Sequence, residues 1–387
     1  MILRFFFFML FFLLFVVAIN PKPAAAAPPS TGESEVIVII APSVNDDYYA
    51  PVFEQVIAYD VAFVNTVRQY TNVVLVADSA TMPHVQGKVP EGNLIEATVN
   101  DIWPRDFGPA SPNQPVKFRY RPQYLDTSTA SWIENSFNKW TASLSLNLTS
   151  SNLILDGGNF VHNGADKAII TTRVFADNAE LSREEVDQQL RELTGMATIA
   201  YIPEEALDTT GHADGMVMWV DSDILLVNEF DEPFRSQVLT PLQAAFPNVT
   251  MIEIPVDYTY GEWQGFISAC GLHVNSLVTD RHIFLPIYGQ SNDIVVQSLI
   301  EAQTDKTVVP INAESVCFMG GAVRCLTWYA KGDTAERIIQ AASPTAVPLA
   351  SLSAMSKNSA WQWGGFGFLL LAGGGLLMAV LRKATFW

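Results

Sequence analysis

The strongest constraint on this chain's fold is a rhythm of short apolar strands, tight turns and single helices that begins at Glu35. Residues 35–41 are apolar after the first, the pattern of a strand buried on both faces. Residues 51–70 carry apolar side chains at helical spacing, and residues 73–76 return to strand. Ser182 with Glu185 three positions on is a capping box. It opens a helix that runs to about Thr194, with Gly195 placed to end it. Strands are also expected at 168–171 and 198–202. Asp221-Ser222-Asp223 separates the strand-like runs 216–220 and 224–227, and Asp280-Arg281 separates 274–278 from 282–286. Both read as hairpins. Helices over 236–246 and 295–303 lead to strands at 251–254 and 308–311. The pattern predicts a mixed α/β fold. It is not a plain βαβ series, and no GxGxxG follows a strand, so a dinucleotide-binding fold is a poor match. No Pro- or Gly-rich linker interrupts the middle, so residues 34–344 read as one catalytic domain.

The ends are different in kind. Arg4, a long apolar run and Ala24 to Ala27 make residues 1–27 read as a signal peptide, with an uncleaved N-terminal anchor as the alternative. Residues 345–361 are a Ser/Ala tether. Within 362–387, the stretch 363–381 holds no charge and is followed by Arg382-Lys383. At about 1.5 Å per residue it just spans a bilayer core. The basic pair keeps the tail cytoplasmic and the body exported, on the periplasmic side or the cell surface. The same layout resembles bacterial C-terminal sorting tags, so membrane anchor and removable tag both stay open. A net charge of −18 argues against a nucleic-acid partner.

Three cysteines, Cys270, Cys317 and Cys325, leave at least one thiol outside an intramolecular bridge. Cys270 and Cys317 read either as a disulfide or as a buried reduced pair. Cys325 follows Gly320-Gly321, where the backbone can approach a ligand closely. His212 and Asp214 in Gly211-His212-Ala213-Asp214 are two apart and share a face in extended backbone. Asp106 follows Trp103-Pro104-Arg105 and reads equally as a turn former. Asp156-Gly157-Gly158-Asn159 is a turn by its chemistry, and equally a way to bring Asp156 near a substrate. A thiol with an imidazole and two separate carboxylates suits attack on a cationic carbon, and guanidinium is such a centre. The five histidines lack metal-ligand spacing, and neither metal nor cofactor is expected.

In this order, these motifs resemble the agmatine deiminase and bacterial peptidylarginine deiminase family of guanidino-group modifying enzymes. The likeness runs from about residue 36 to 331. It implies an α/β-propeller (pentein) of five ββαβ-type units around a central site. It implies Cys325 as nucleophile, His212 as general acid and base, and Asp106 and Asp214 as the carboxylates that hold the guanidinium. Asn275 and Trp103 are implied beside the substrate. Phe118-Arg119-Tyr120-Arg121-Pro122 resembles the segment with which the peptidylarginine branch meets a substrate carboxylate, which makes Arg121 a candidate. A surface strand with two cations is the alternative. Asp156 is more often Glu in the agmatine branch, and Arg324 is often His. With export, these departures point to peptidyl arginine, above all at a peptide C-terminus, giving citrulline and ammonia. Agmatine, giving N-carbamoylputrescine, is the alternative. A cysteine peptidase or amidase, or a non-catalytic surface binding protein, is the alternative of another class.

Overall fold

The computed structural model describes residues 33–111 and 114–343. The expected signal peptide, tether and C-terminal apolar segment lie outside the described residues. Among the described residues no helix is long and apolar enough to cross a membrane.

One unit is repeated five times: a strand, a helix, and a second strand parallel to the first. In the first unit, Glu35–Ile40 and Asn72–Ala77 are joined by helix Phe53–Val67 and pair in parallel from Val36↔Asn72 to Ile40↔Val76. All six residues of Glu35–Ile40 are buried, the five after Glu35 as an unbroken apolar run. The later units pair Val116–Arg119 with Thr149–Ile154, Lys167–Thr171 with Thr198–Ile202, Ile224–Asn228 with Thr250–Ile254, and His282–Ile287 with Thr307–Asn312.

An antiparallel strand precedes the pair in three of these: Val161–His162, Val217–Asp221 and Leu277–Val278. The first unit takes its antiparallel strand from the far end of the domain. Trp328–Lys331 pairs with Glu35–Ile40, with Val36 opposite Ala330. Both ends of the domain therefore share one sheet. The second unit differs from the expected ββαβ pattern. Among the described residues its sheet has two strands only, and the short helix Pro104–Phe107 comes before them.

Helix Thr127–Ser143 is the largest element that the apolar pattern did not predict. Its hydrophobic side chains are sparse, but Ala130, Ile133, Phe137 and Trp140 recur at three and four and are buried. Asp126 caps it by accepting from the Ser128 and Thr129 amides. Phe137 packs edge-on against Phe107, Trp140 and Trp328, which ties this helix to the closing strand. The expected strand at 274–278 is shortened to Leu277–Val278. The residues ahead of it turn inward, and Asn275 is buried. The capping box at Ser182 and Glu185 and the left-handed Gly195 are present as expected.

Candidate active site

Each unit places its chemistry in the same position, the segment just ahead of its first strand. Asp106 comes ahead of the second unit, Asp156 and Asn159 ahead of the third, and His212 and Asp214 ahead of the fourth. Asn275 comes ahead of the fifth, and Cys325 ahead of the closing strand Trp328–Lys331. Trp103, Asp106, His212, Asp214, Asn275 and Cys325 line one pocket of about 390 Å3. All but Trp103 are buried.

Asn275 organises the thiol. Its Nδ2 donates to Cys325 Sγ at 3.1 Å and to the Asp214 carbonyl at 3.2 Å, while its Oδ1 accepts from the Ala322 amide at 3.1 Å. Asp214 Oδ2 lies 3.9 Å from Cys325 Sγ. Arg324, next to the thiol in sequence, meets the same Asp214 oxygen. Its Nε donates to Asp214 Oδ2 at 3.1 Å and its Nη2 to the Phe160 carbonyl at 3.0 Å.

His212 sits between carboxylates. Its Nε2 is 3.2 Å from Asp156 Oδ2 and its Nδ1 is 3.6 Å from Asp106 Oδ1. Asp156 stands behind His212 and is not among the pocket-lining residues. The turn that carries it is fixed by Asn159, whose Oδ1 accepts from the Thr171 amide at 2.8 Å and the Ala213 amide at 3.3 Å. One side-chain oxygen thus ties the Asp156 turn to the His212 loop. Gly158 is there because nothing larger fits. A Cβ at that position would lie 2.5 Å from His212 Nδ1 and 2.7 Å from Asp106 Oδ1.

The electrostatics follow from burying so many groups together. Burial raises the Asp106 carboxyl to about 8, with Asp156 and Asp214 adding to the rise and His212 opposing it. Burial alone would lower the His212 imidazole, but Asp106, Asp156 and Asp214 outweigh it and raise it to about 10. Burial pushes the Cys325 thiol well up, and the two nearby carboxylates push it further. The Asn275 hydrogen bond works in the other direction.

Arg121 is not at the site. Along this segment Phe118, Tyr120 and Pro122 are buried while Arg119 and Arg121 are exposed, so the alternation turns both arginines to solvent. Arg121 Nη2 reaches Thr127 Oγ1 at 3.3 Å instead. The lining holds no Lys or Arg among the described residues. It does hold Asp46, Asp101, Asp106, Glu205, Asp208 and Asp214. Aromatic side chains, including Tyr49, Tyr124, Tyr258 and Trp263, stand among them. Cys270 and Cys317 are disulfide-bonded and Cys325 is free. Ala269 and Met319, each close to one end of that bridge, line the pocket.

This α/β architecture is similar to that of solved agmatine deiminases. Agmatine deiminase of C. jejuni superposes with a TM-score of 0.65 at 18% identity, over 77% of this chain and 93% of that one. The Enterococcus faecalis agmatine deiminase gives 0.63 at 17% identity, over 78% and 94%. In sequence, the agmatine deiminase of Ectopseudomonas mendocina is 21% identical over 316 residues, 69% of this chain and 84% of its own length. The profile of the Porphyromonas-type peptidyl-arginine deiminases matches residues 26–330. The chain belongs to that family.

Proposed function

We propose that the protein is a guanidine deiminase whose substrate is a small amine-bearing guanidine of the agmatine type. The observation that carries this reading is the pocket lining: a thiol, an imidazole and six carboxylates, with no Lys or Arg among the described residues. Such a wall suits a dication. It gives no partner to the carboxylate of a C-terminal peptidyl arginine, the substrate favoured by sequence, because Arg121 points to solvent. The names of the relatives support the same choice.

In this reading Asp106 and Asp214 hold the guanidinium through charge-assisted hydrogen bonds. The Cys325 thiolate attacks the central carbon. His212, protonated and held by Asp156, gives its proton to the departing nitrogen as the C–N bond breaks, and ammonia leaves. An S-alkylthiouronium remains on Cys325. His212 then takes a proton from water, whose oxygen attacks the same carbon. The C–S bond breaks, and the ureido product and the Cys325 thiolate are released. A peptidase would need donors aimed at a developing oxyanion, whereas here carboxylates face the thiol.

The test is product formation by the purified protein with agmatine, free arginine, a peptide ending in arginine, and a peptide with internal arginine. Ureido product and ammonia chiefly from agmatine is the expected result. Preference for either peptide would return the assignment to peptidyl arginine. No product from any of the four would remove the deiminase reading.

A further inference from the structure

A second cavity, of about 80 Å3, shares no lining residue with the first. Arg105 and Arg324, the chain neighbours of Asp106 and Cys325, line this cavity and not the catalytic pocket. Lys306, Lys331 and His162 join them, in a chain whose overall charge is −18.

The cations differ in how well they are satisfied. Arg324 is paired with Asp214. Lys331 Nζ meets Asp280 Oδ2 at 2.7 Å, and Lys306 Nζ donates to the Thr279 and Asp280 carbonyls at 2.8 and 3.3 Å. Arg105 has much less. It is 4% exposed, and among the described residues it makes no ion pair and its Nε donates to the Arg324 carbonyl at 3.4 Å. Asp214 and Asp106 act on it at longer range, while Arg324 repels it. A buried guanidinium that lines a cavity is stabilised by an anion that meets it there. The two carboxylates of the lining, Asp221 and Asp280, are exposed, whereas Arg105 and Arg324 are buried. His162 adds a neutral donor. Its Nδ1 accepts from the Gly164 amide at 3.1 Å, which leaves the ring proton on Nε2. Apolar walls from Val161, Val217, Val274 and Leu277 limit the room to a compact group.

We propose that this cavity is an anion site for a small inorganic anion of phosphate size or smaller, held by Arg105 with Lys306, Lys331 and the His162 ring. It is separate from the deiminase pocket and does not depend on which substrate that pocket takes.

The experiment is thermal unfolding and titration calorimetry of the purified protein with phosphate, sulfate and chloride at constant ionic strength, which needs no turnover. A saturable rise in Tm with a matching one-site binding heat is expected, and the anion with the tightest isotherm identifies the natural size. Arg105→Met should abolish the binding heat. Lys306→Met, which is not part of the catalytic pocket's lining, should weaken binding roughly tenfold, the effect of losing one charge-assisted contact. If Arg105→Met does not fold, Lys306→Met decides. A wild-type Tm that does not respond to any of the three anions, or an unchanged isotherm in Lys306→Met, overturns the proposal.

Discussion

The amide nitrogen of Asn275 lies 3.1 Å from the sulfur of Cys325, and the same side chain accepts from the Ala322 amide through its oxygen. The thiol is therefore set by a residue fifty positions upstream, in a different unit of the fold. Asn275→Ala removes the side-chain donor to a buried sulfur and leaves it only the Ala322 backbone amide among the described donors. The expected result is a kcat lower by roughly ten- to a hundredfold, with a slower, more alkaline pH profile for alkylation of Cys325 by iodoacetamide. An unchanged alkylation profile would show that Asn275 supports only the loop.

Cys325→Ser should lower kcat by about a thousandfold or more while leaving Tm within a few degrees of wild type. Sulfur and oxygen differ little in volume, but only the sulfur gives a good nucleophile at neutral pH. Near-normal turnover in this variant would remove Cys325 from the mechanism.

Stability should fall as the solution becomes alkaline. The folded imidazole of His212 is raised to about 10 from an ordinary 6.5, so its contribution is complete below about 6.5 and is lost as pH rises through about 10. Asp106, raised to about 8, acts in the same direction. Between about 4 and 8 the folded form binds more protons than the unfolded chain, so stability declines over that window. Tm measured from pH 5 to 10 should decrease, and His212→Gln should flatten the part above pH 8. A parallel curve in that variant would contradict the assignment.

Gly158→Ala should be more damaging to activity than to the fold. The added methyl would meet His212 Nδ1 and Asp106 Oδ1 well inside contact distance. Shifting them costs about 1–3 kcal/mol in stability. It also misplaces both groups, so kcat should fall more than about tenfold. Steady-state kinetics with a denaturant titration separates the two effects.

The bridge between Cys270 and Cys317 closes a loop of 47 positions of sequence separation. Replacing both residues by Ser should cost roughly 2–4 kcal/mol of unfolding free energy, chiefly by freeing the unfolded chain. Urea unfolding measures this directly, and a loss under about 0.5 kcal/mol would contradict it.

A mouth carboxylate offers a test of the amine-bearing substrate. Glu205 lines the pocket and accepts from the Tyr258 hydroxyl at 3.0 Å. Glu205→Gln keeps an acceptor for that hydroxyl and removes the charge. With agmatine, KM should rise by about three- to tenfold with little change in kcat. A KM equal to wild type would mean the amine binds elsewhere.

What was legible in the sequence was local. The capping box at Ser182, the strand at Glu35 and the motif around His212 each depend on a few adjacent residues, and spacing alone reveals them. Helix Thr127–Ser143 was not legible, because its few apolar side chains are diluted by Ser, Thr and Asn, and it is held by aromatic packing against Phe107 and Trp328. Asp156 reads in sequence equally as a turn residue and as a group near a substrate. Its place behind His212 depends on Asn159 tying two loops together across 54 positions.

The sequence by itself determined the mixed α/β character of the domain and which short segments carry reactive groups, because both are written in neighbouring residues. Only the tertiary structure decided how those groups meet. Pairing of Trp328–Lys331 with Glu35–Ile40 joins the two ends of the domain, and four of the leading segments line one pocket while the Asp156 segment stands behind His212. Alternation along one extended segment sends Arg121 to solvent. The inward turn before Leu277–Val278 delivers Asn275 to the thiol. Contacts between residues far apart in sequence are set by strand register and packing, which no local pattern encodes.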